Sequence, residues 1–251
     1  MLFVLSKECL VDRARIICHR GACLTAPENT LAALEGAIAV GADVIEFDIR
    51  QSRDGVLYVF HDDTLERTSN GKGRFVDALS TDIDRLDAGS WFDQAYAGER
   101  IPRLEIFLDS CAGRIETYAE IKDADPARVR DMLAARGLLE TAWTFSFDPD
   151  IQAETRAKAS DLRRMVLYSY VGNVARAVAS GAHILEFHPE DLTFDRVREA
   201  KEAGLITQMF YDGEDQSVFE SALECGIEQF NIDHVARFRA VEGRRKLAAA
   251  K

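Results

Sequence analysis

The chain has no apolar run near the 18 or more residues of a membrane span. No secretory leader is expected either, since Met1 to Leu5 are apolar for only five positions before Lys7 and Glu8, short of the roughly 7–15 apolar residues of a leader's core. It lacks a zinc pattern, because the five cysteines, Cys9, Cys18, Cys23, Cys111 and Cys225, are odd in number and match no ligand spacing. Their neighbours are mostly apolar, which reads as buried free thiols in a reducing compartment. Positive charge is scarce: 31 Lys and Arg stand against 43 Asp and Glu, a net charge of −12. Such a surface repels phosphate backbones and anionic bilayers, so nucleic acid and stable membrane association are excluded as partners. An anionic substrate would have to meet local positive charge or a metal. The expectation is a soluble cytoplasmic protein with a small-molecule ligand, and a homo-oligomer is compatible with it.

What is present is a globular composition, 47% apolar over 251 residues, a length that suits one α/β barrel of roughly 250 residues. Short β-branched and aromatic runs predict strands at Ile16–His19, Val44–Asp48, Thr117–Lys122, Ala142–Phe147, Arg164–Tyr168, His183–Phe187, Ile206–Tyr211 and Glu228–Ile232. Helical periods lie between them: Pro27–Val40 ending at Gly41, Asp125-Pro126 to about Arg136, a second Asp-Pro start at Asp148-Pro149, Thr193–Ala203, and Ser217–Glu224. Strands that alternate with helices in this number predict a (β/α)8 TIM barrel over 1–251 as a single domain.

One stretch breaks the alternation. Ile49 to His61 has no room for a helix and carries Asp54-Gly55 between extended residues, a hairpin signal. With Asp54 and Gly55 as a two-residue loop, Asp48 falls opposite His61; a bulge would shift this by one residue. Residues 62–101 are polar and Gly-rich and too long for a βα connection, so they read as an insertion over the barrel mouth that shapes substrate access.

Active sites of this architecture sit at the C-terminal strand ends. His19-Arg20-Gly21 ends the first strand, Glu46 and Asp48 share a face of the second, and Glu120 and Lys122 share a face of the third. Three carboxylates this close repel one another unless a cation sits between them. A hard ion with oxygen ligands fits, Mg²⁺ or Ca²⁺ first and Mn²⁺ as the alternative. The histidines His19 and His61 suit acid–base work on either side of a phosphorus, and Arg20 and Lys122 suit its non-bridging oxygens. Each residue alone has a blander role: a strand-end carboxylate is more often a cap or a solvated charge, and His183, His188 and His234 read as ordinary packing or surface residues, with a peripheral substrate role weighed for His188.

The runs His19-Arg20-Gly21, Pro27-Glu28-Asn29-Thr30, Glu46-Phe47-Asp48, Asp54-Gly55, Val59-Phe60-His61-Asp62, Leu65-Glu66-Arg67-Thr68, Asn70-Gly71, Leu86–Phe92, Ile101–Leu104 and Glu120-Ile121-Lys122 resemble the glycerophosphodiester phosphodiesterases, densely and in order over the first half. The resemblance implies a TIM barrel with an inserted segment and metal-dependent hydrolysis to glycerol 3-phosphate and an alcohol. It implies catalytic His19 and His61, metal carboxylates Glu46, Asp48 and Glu120, and phosphate contacts Arg20 and Lys122. Glu28 and Asn29 are read as a helix start rather than as direct catalysts. The second half departs from the family pattern at Phe145–Asp148, Met209–Gly213 and Ile232–His234. Phe210 is the candidate aromatic wall for the substrate. These departures leave a sugar phosphodiester of the agrocinopine type as an alternative substrate, and a non-catalytic phosphodiester binder as a third reading.

Overall fold

The computed structural model describes residues 13–249. The expectations placed on Met1–Leu5 and on Cys9 lie outside the described residues. Along the chain run β1 (Arg15–Cys18), α1 (Leu31–Ala39), β2 (Val44–Gln51), β3 (Leu57–Val59), α2 (Ser80–Ile83), α3 (Leu104–Cys111), β4 (Glu116–Ile121), α4 (Pro126–Ala134), β5 (Trp143–Phe145), α5 (Pro149–Lys158), β6 (Arg163–Leu167), α6 (Tyr168–Val171), α7 (Val174–Ala179), β7 (Ile184–Phe187), α8 (Phe194–Glu202), β8 (Ile206–Tyr211), α9 (Gln216–Cys225), β9 (Gln229–Ile232) and α10 (Val235–Ala249). All the expected strands are present. The strand order is β1-β9-β8-β7-β6-β5-β4-β2-β3, with β1 also paired to β2. Parallel strands alternating with helices in this order make the fold class (β/α)8, a TIM barrel, and β3 is the antiparallel hairpin partner of β2. Among the described residues the chain forms two compact units, Ile17–Arg164 and residues 165–249 with 13–16.

In the first unit β2 is the organising strand. It pairs in parallel with β1 at Ile17↔Val44 and with β4 from Val44↔Glu116 to Ile49↔Ile121. Both faces of a parallel strand are covered, which is why β2 is buried along almost its whole length. Alternation still sorts its residues: the Phe47 ring lies 4.9 Å from Phe107 of α3, so Glu46, Asp48 and Arg50 point to the other face. Thr30 caps α1 by accepting from the Ala33 amide, and the helix starts at Leu31 rather than at Pro27 because Asn29 takes a left-handed φ of 58°. The two Asp-Pro starts are as expected, with Asp125 accepting from Ala127 N and Asp148 from Asp150 N.

The hairpin register corrects one expectation. Arg53, Asp54 and Gly55 form a three-residue loop, with Ser52 N donating to Val56 O at 2.9 Å and Gly55 at φ 85°. The ladder therefore runs Ile49↔Val59, Arg50↔Tyr58, Gln51↔Leu57. Phe60, not His61, falls opposite Asp48, its amide donating to Asp48 O at 2.9 Å. Phe60 enters a cluster with Tyr58, Leu65, Phe75, Ile83, Ala88 and Ile101, and alternation turns His61 the other way. Residues 62–101 thus carry an apolar core of their own, despite their polar composition. Helix α3 is a further finding: Leu104, Phe107, Leu108 and Cys111 are buried at helical spacing.

In the second unit β7 pairs with β8 from Ile184↔Ile206 to Phe187↔Met209, and β8 with β9 from Gln208↔Gln229 to Tyr211↔Ile232. Phe238 of α10 packs on Phe230 of β9 and Phe219 of α9, at 4.5 and 5.6 Å between ring centroids. Helix α10, absent from the sequence reading, completes this aromatic layer. A buried polar row crosses the strands, with Gln229 Nε2 donating to Gln208 Oε1 at 2.7 Å and Gln208 Nε2 donating to Glu186.

Candidate active site

The parallel register of β2 and β4 puts Asp48 directly beside Glu120, and Glu46 lies two residues back on the same face. One oxygen from each of Glu46, Asp48 and Glu120 lies within 4.8 Å of the others, and all three residues are buried. Burial pushes the Glu46 carboxyl well above its usual range, with the charges of Asp48 and Glu120 adding to the effect. Burial and Asp48 push Glu120 up to about 7. Asp48 is also buried, yet Lys122, Arg20 and His61 hold it below the ordinary carboxylate range, with a hydrogen bond from Asn29. Lys122 Nζ pairs with Glu120 and with Asp48 Oδ1, the latter at 3.1 Å. Three clustered buried carboxylates, two of them resisting ionisation, fit a divalent cation bound through oxygen.

The loop after β1 supplies the basic side. Arg20 and Gly21 have φ of 55° and 82°. A Cβ on Gly21 would lie 2.8 Å from the Ala33 backbone, so the loop closes onto α1 only with glycine there. Arg20 N donates to Glu46 Oε2 at 2.9 Å, its Nη1 donates to Glu28 Oε1 at 2.9 Å, and its Nε stands 3.5 Å from Asp48 Oδ2. Asn29 donates from Nδ2 to Asp48 Oδ2 at 2.8 Å and accepts from Asp48 N at 3.2 Å. Asn29 therefore faces Asp48, Glu28 faces Arg20, and the side-chain cap of α1 comes from Thr30.

His61 follows β3 and Phe60. Its Nδ1 is 2.6 Å from Asp62 Oδ1. Burial pulls the imidazole below its usual pKa; Arg20 and Lys122 act in the same sense, while Asp48 and Asp62 oppose. The turn that carries it is fastened by Arg50, whose Nε donates to His61 O at 2.8 Å while its guanidinium pairs with Asp63 and with Asp123 Oδ2 at 2.9 Å. Arg50 continues the alternation of Glu46 and Asp48, a signal already in the sequence.

The structure gathers Arg20, Glu46, Asp48, His61, Glu120 and Lys122. His19 follows the last residue of β1 and precedes Arg20, half-buried. Phe210 lies on β8 in the second unit, its ring 5.5 Å from that of His188, which also pairs with Glu190 at 3.8 Å. Phe147, within the divergent Phe145–Asp148 stretch, follows β5, is 51% exposed, and has Lys122 Nζ 5.8 Å from its ring centroid.

The description of the glycerophosphoryl diester phosphodiesterase family matches residues 19–237. The chain is 41% identical over 122 residues to a glycerophosphodiester phosphodiesterase of Bacillus subtilis, covering 45% of this chain and 42% of that protein. It is 48% identical over 93 residues to a glycerophosphodiester phosphodiesterase of Caldanaerobacter subterraneus, covering 37% and 38%. The chain thus spans less than half the length of these curated relatives. Among solved structures, a glycerophosphodiester phosphodiesterase from Agrobacterium tumefaciens is 36% identical with a TM-score of 0.87, covering 91% of this chain and 100% of that one. A phosphodiesterase from Oleispira antarctica, solved with the product sn-glycerol-3-phosphate, is 25% identical with a TM-score of 0.82, covering 91% and 96%.

Proposed function

The chain belongs to the glycerophosphoryl diester phosphodiesterase family, and on that premise we propose that it hydrolyses glycerophosphodiesters to glycerol 3-phosphate and an alcohol. The observation that carries this is the cluster of Glu46, Asp48 and Glu120 within 4.8 Å, flanked by Arg20, Lys122 and His61. The three carboxylates would hold one divalent cation, Mg²⁺ or Ca²⁺ first and Mn²⁺ as the alternative. When bound, that ion supplies Lewis-acid polarisation of a phosphoryl oxygen.

The side chains do the rest. Arg20 and Lys122 neutralise and orient the non-bridging oxygens of the diester. His19 and His61 divide the proton work: one takes a proton from the attacking oxygen as its bond to phosphorus forms, and the other gives a proton to the alcohol oxygen as its bond to phosphorus breaks. The attacker is water, or a neighbouring hydroxyl of the substrate with water opening the cyclic phosphate afterwards. Phe210 is proposed as an aromatic contact for the organic part of the substrate. The catalytic unit is proposed to be one domain over 1–251, with 62–101 as its inserted segment. The free thiols Cys111 and Cys225 support a cytoplasmic setting, and no helix among the described residues is long and apolar enough to cross a membrane.

The test is release of glycerol 3-phosphate from glycerophosphocholine and glycerophosphoethanolamine. His19→Ala and His61→Ala should each lower kcat by roughly 100-fold or more, the usual scale of positioned acid–base groups. Turnover near that of the unaltered protein in either variant would remove the two-histidine scheme.

A further inference from the structure

Arg67 lies between the two arms of the site, and the family reading gives it no role. Its Nε donates to Asp62 Oδ2 at 2.6 Å and its Nη2 to Asp62 Oδ1 at 2.8 Å. Its Nη1 donates to Glu28 Oε2 and its Nη2 to Glu28 Oε1, both at 2.8 Å. Beyond Asp62 stands His61 Nδ1, 2.6 Å away, and beyond Glu28 stands Arg20 Nη1, at 2.9 Å. One guanidinium therefore grips two carboxylates, each by both oxygens, and each carboxylate holds a different proposed functional side chain.

We propose that Arg67 is a positioning residue: through Asp62 it keeps a proton on His61 Nδ1 and leaves Nε2 for the reaction, and through Glu28 it holds Arg20 toward the phosphate. The roles of His61 and Arg20 in this inference rest on the function proposed above. The physical steps are short. An ionised carboxylate only accepts, so the Nδ1 against Asp62 must carry a hydrogen whether the imidazole is neutral or charged. Nε2 is then the nitrogen whose proton comes and goes. Asp62 on its own is a short, partly exposed side chain free to rotate. With both oxygens engaged by Arg67 it presents Oδ1 to the imidazole in one orientation. Lysine lacks the planar fork needed to serve two carboxylates together. The same guanidinium ties residue 67 of the 62–101 segment to Glu28 in the loop after β1, so the apolar cluster under that segment supports both arms.

Two readouts test this. The first is the tautomer of His61 in the metal-free protein, read from ¹⁵N shifts of the imidazole and identified by its loss in His61→Gln. The unaltered protein should show a single Nδ1-protonated form. Arg67→Ala should show a mixture of tautomers, and Asp62→Asn a shift toward Nε2–H, because an amide NH₂ can face Nδ1. The second is the split between kcat and KM on glycerophosphocholine. Asp62→Asn should lower kcat by roughly 10- to 100-fold with KM nearly unchanged. Glu28→Gln should act mainly on KM, Arg67→Ala on both, and Arg67→Lys should restore neither. A His61 that keeps its Nδ1 proton in Arg67→Ala, or full turnover in Arg67→Lys, would overturn the proposal. A purely structural Arg67 would lower Tm without moving the tautomer, which also counts against it. If the unaltered protein hydrolyses no glycerophosphodiester, the functional reading falls, and the tautomer still decides for or against the hold of Arg67 on His61.

Discussion

At the scale of single residues the site is a problem of crowded charge. Glu46 and Glu120 are pushed upward by burial and by their neighbours, Glu120 to about 7. A cation that binds them must displace their protons, so its affinity should fall as pH drops through about 7. The stability consequence has a definite sign. A carboxylate raised in the folded state contributes stability below its unfolded value and loses it as pH rises through the folded one. The metal-free protein should therefore be penalised by these two groups at pH 8, and added ion should relieve that penalty. The rise in Tm on adding the ion should be larger at pH 8 than at pH 5.5, and an equal rise at both would contradict the charge assignment. Much of this chemistry was legible. Period-two spacing put Glu46 with Asp48 and Glu120 with Lys122, and neighbouring strands brought the pairs together. Arg50 has the same spacing from Asp48 and was passed over because it lies outside the motif. Asn29 was read as part of a helix start because its left-handed backbone, which turns its amide onto Asp48, leaves no mark on the pattern.

At the scale of elements, the hairpin and the segment after it decide where His61 stands. The Asp54-Gly55 signal located the turn correctly and its length wrongly, since Gly55 closes a three-residue loop. Sequence could not separate the two because both loop types take glycine at that place. The 62–101 segment is polar in composition, yet a few spaced apolar residues close a core around Phe75, whose ring stacks on Phe60 at 4.9 Å and meets Tyr58 edge-on at 5.8 Å. Phe75→Ala should cost about 3–5 kcal/mol, the usual range for a buried phenylalanine, and should expose the 62–101 segment to limited proteolysis. Turnover should fall with it, since Arg67 and Asp62 lose their support. Unchanged resistance to protease would show that the cluster does not hold the segment. Helices α3 and α10 escaped the sequence reading: α3 adjoins the irregular 62–101 segment, and the buried apolar face of α10 is confined to Val235, Phe238 and Val241.

For the whole molecule, strand alternation and the motifs of the first half carried both the fold class and the reaction class, whereas the second half departs from the family pattern and leaves the substrate to experiment. Phe147 follows β5 and Phe210 lies on β8, at two of those departures. A panel of glycerophosphocholine, glycerophosphoethanolamine and a sugar phosphodiester should give the highest kcat/KM for a glycerophosphodiester. A sugar phosphodiester turned over more efficiently would move the substrate assignment while leaving the reaction at phosphorus intact. The central claim is that Glu46, Asp48 and Glu120 hold the ion on which hydrolysis depends. It is tested most directly by stripping the protein with chelator, restoring Mg²⁺, Ca²⁺ or Mn²⁺ one at a time, and following glycerol 3-phosphate release from glycerophosphocholine. The account predicts no release from the stripped protein, recovery with at least one of the ions, and no recovery in Asp48→Asn; full activity in the stripped protein would contradict it.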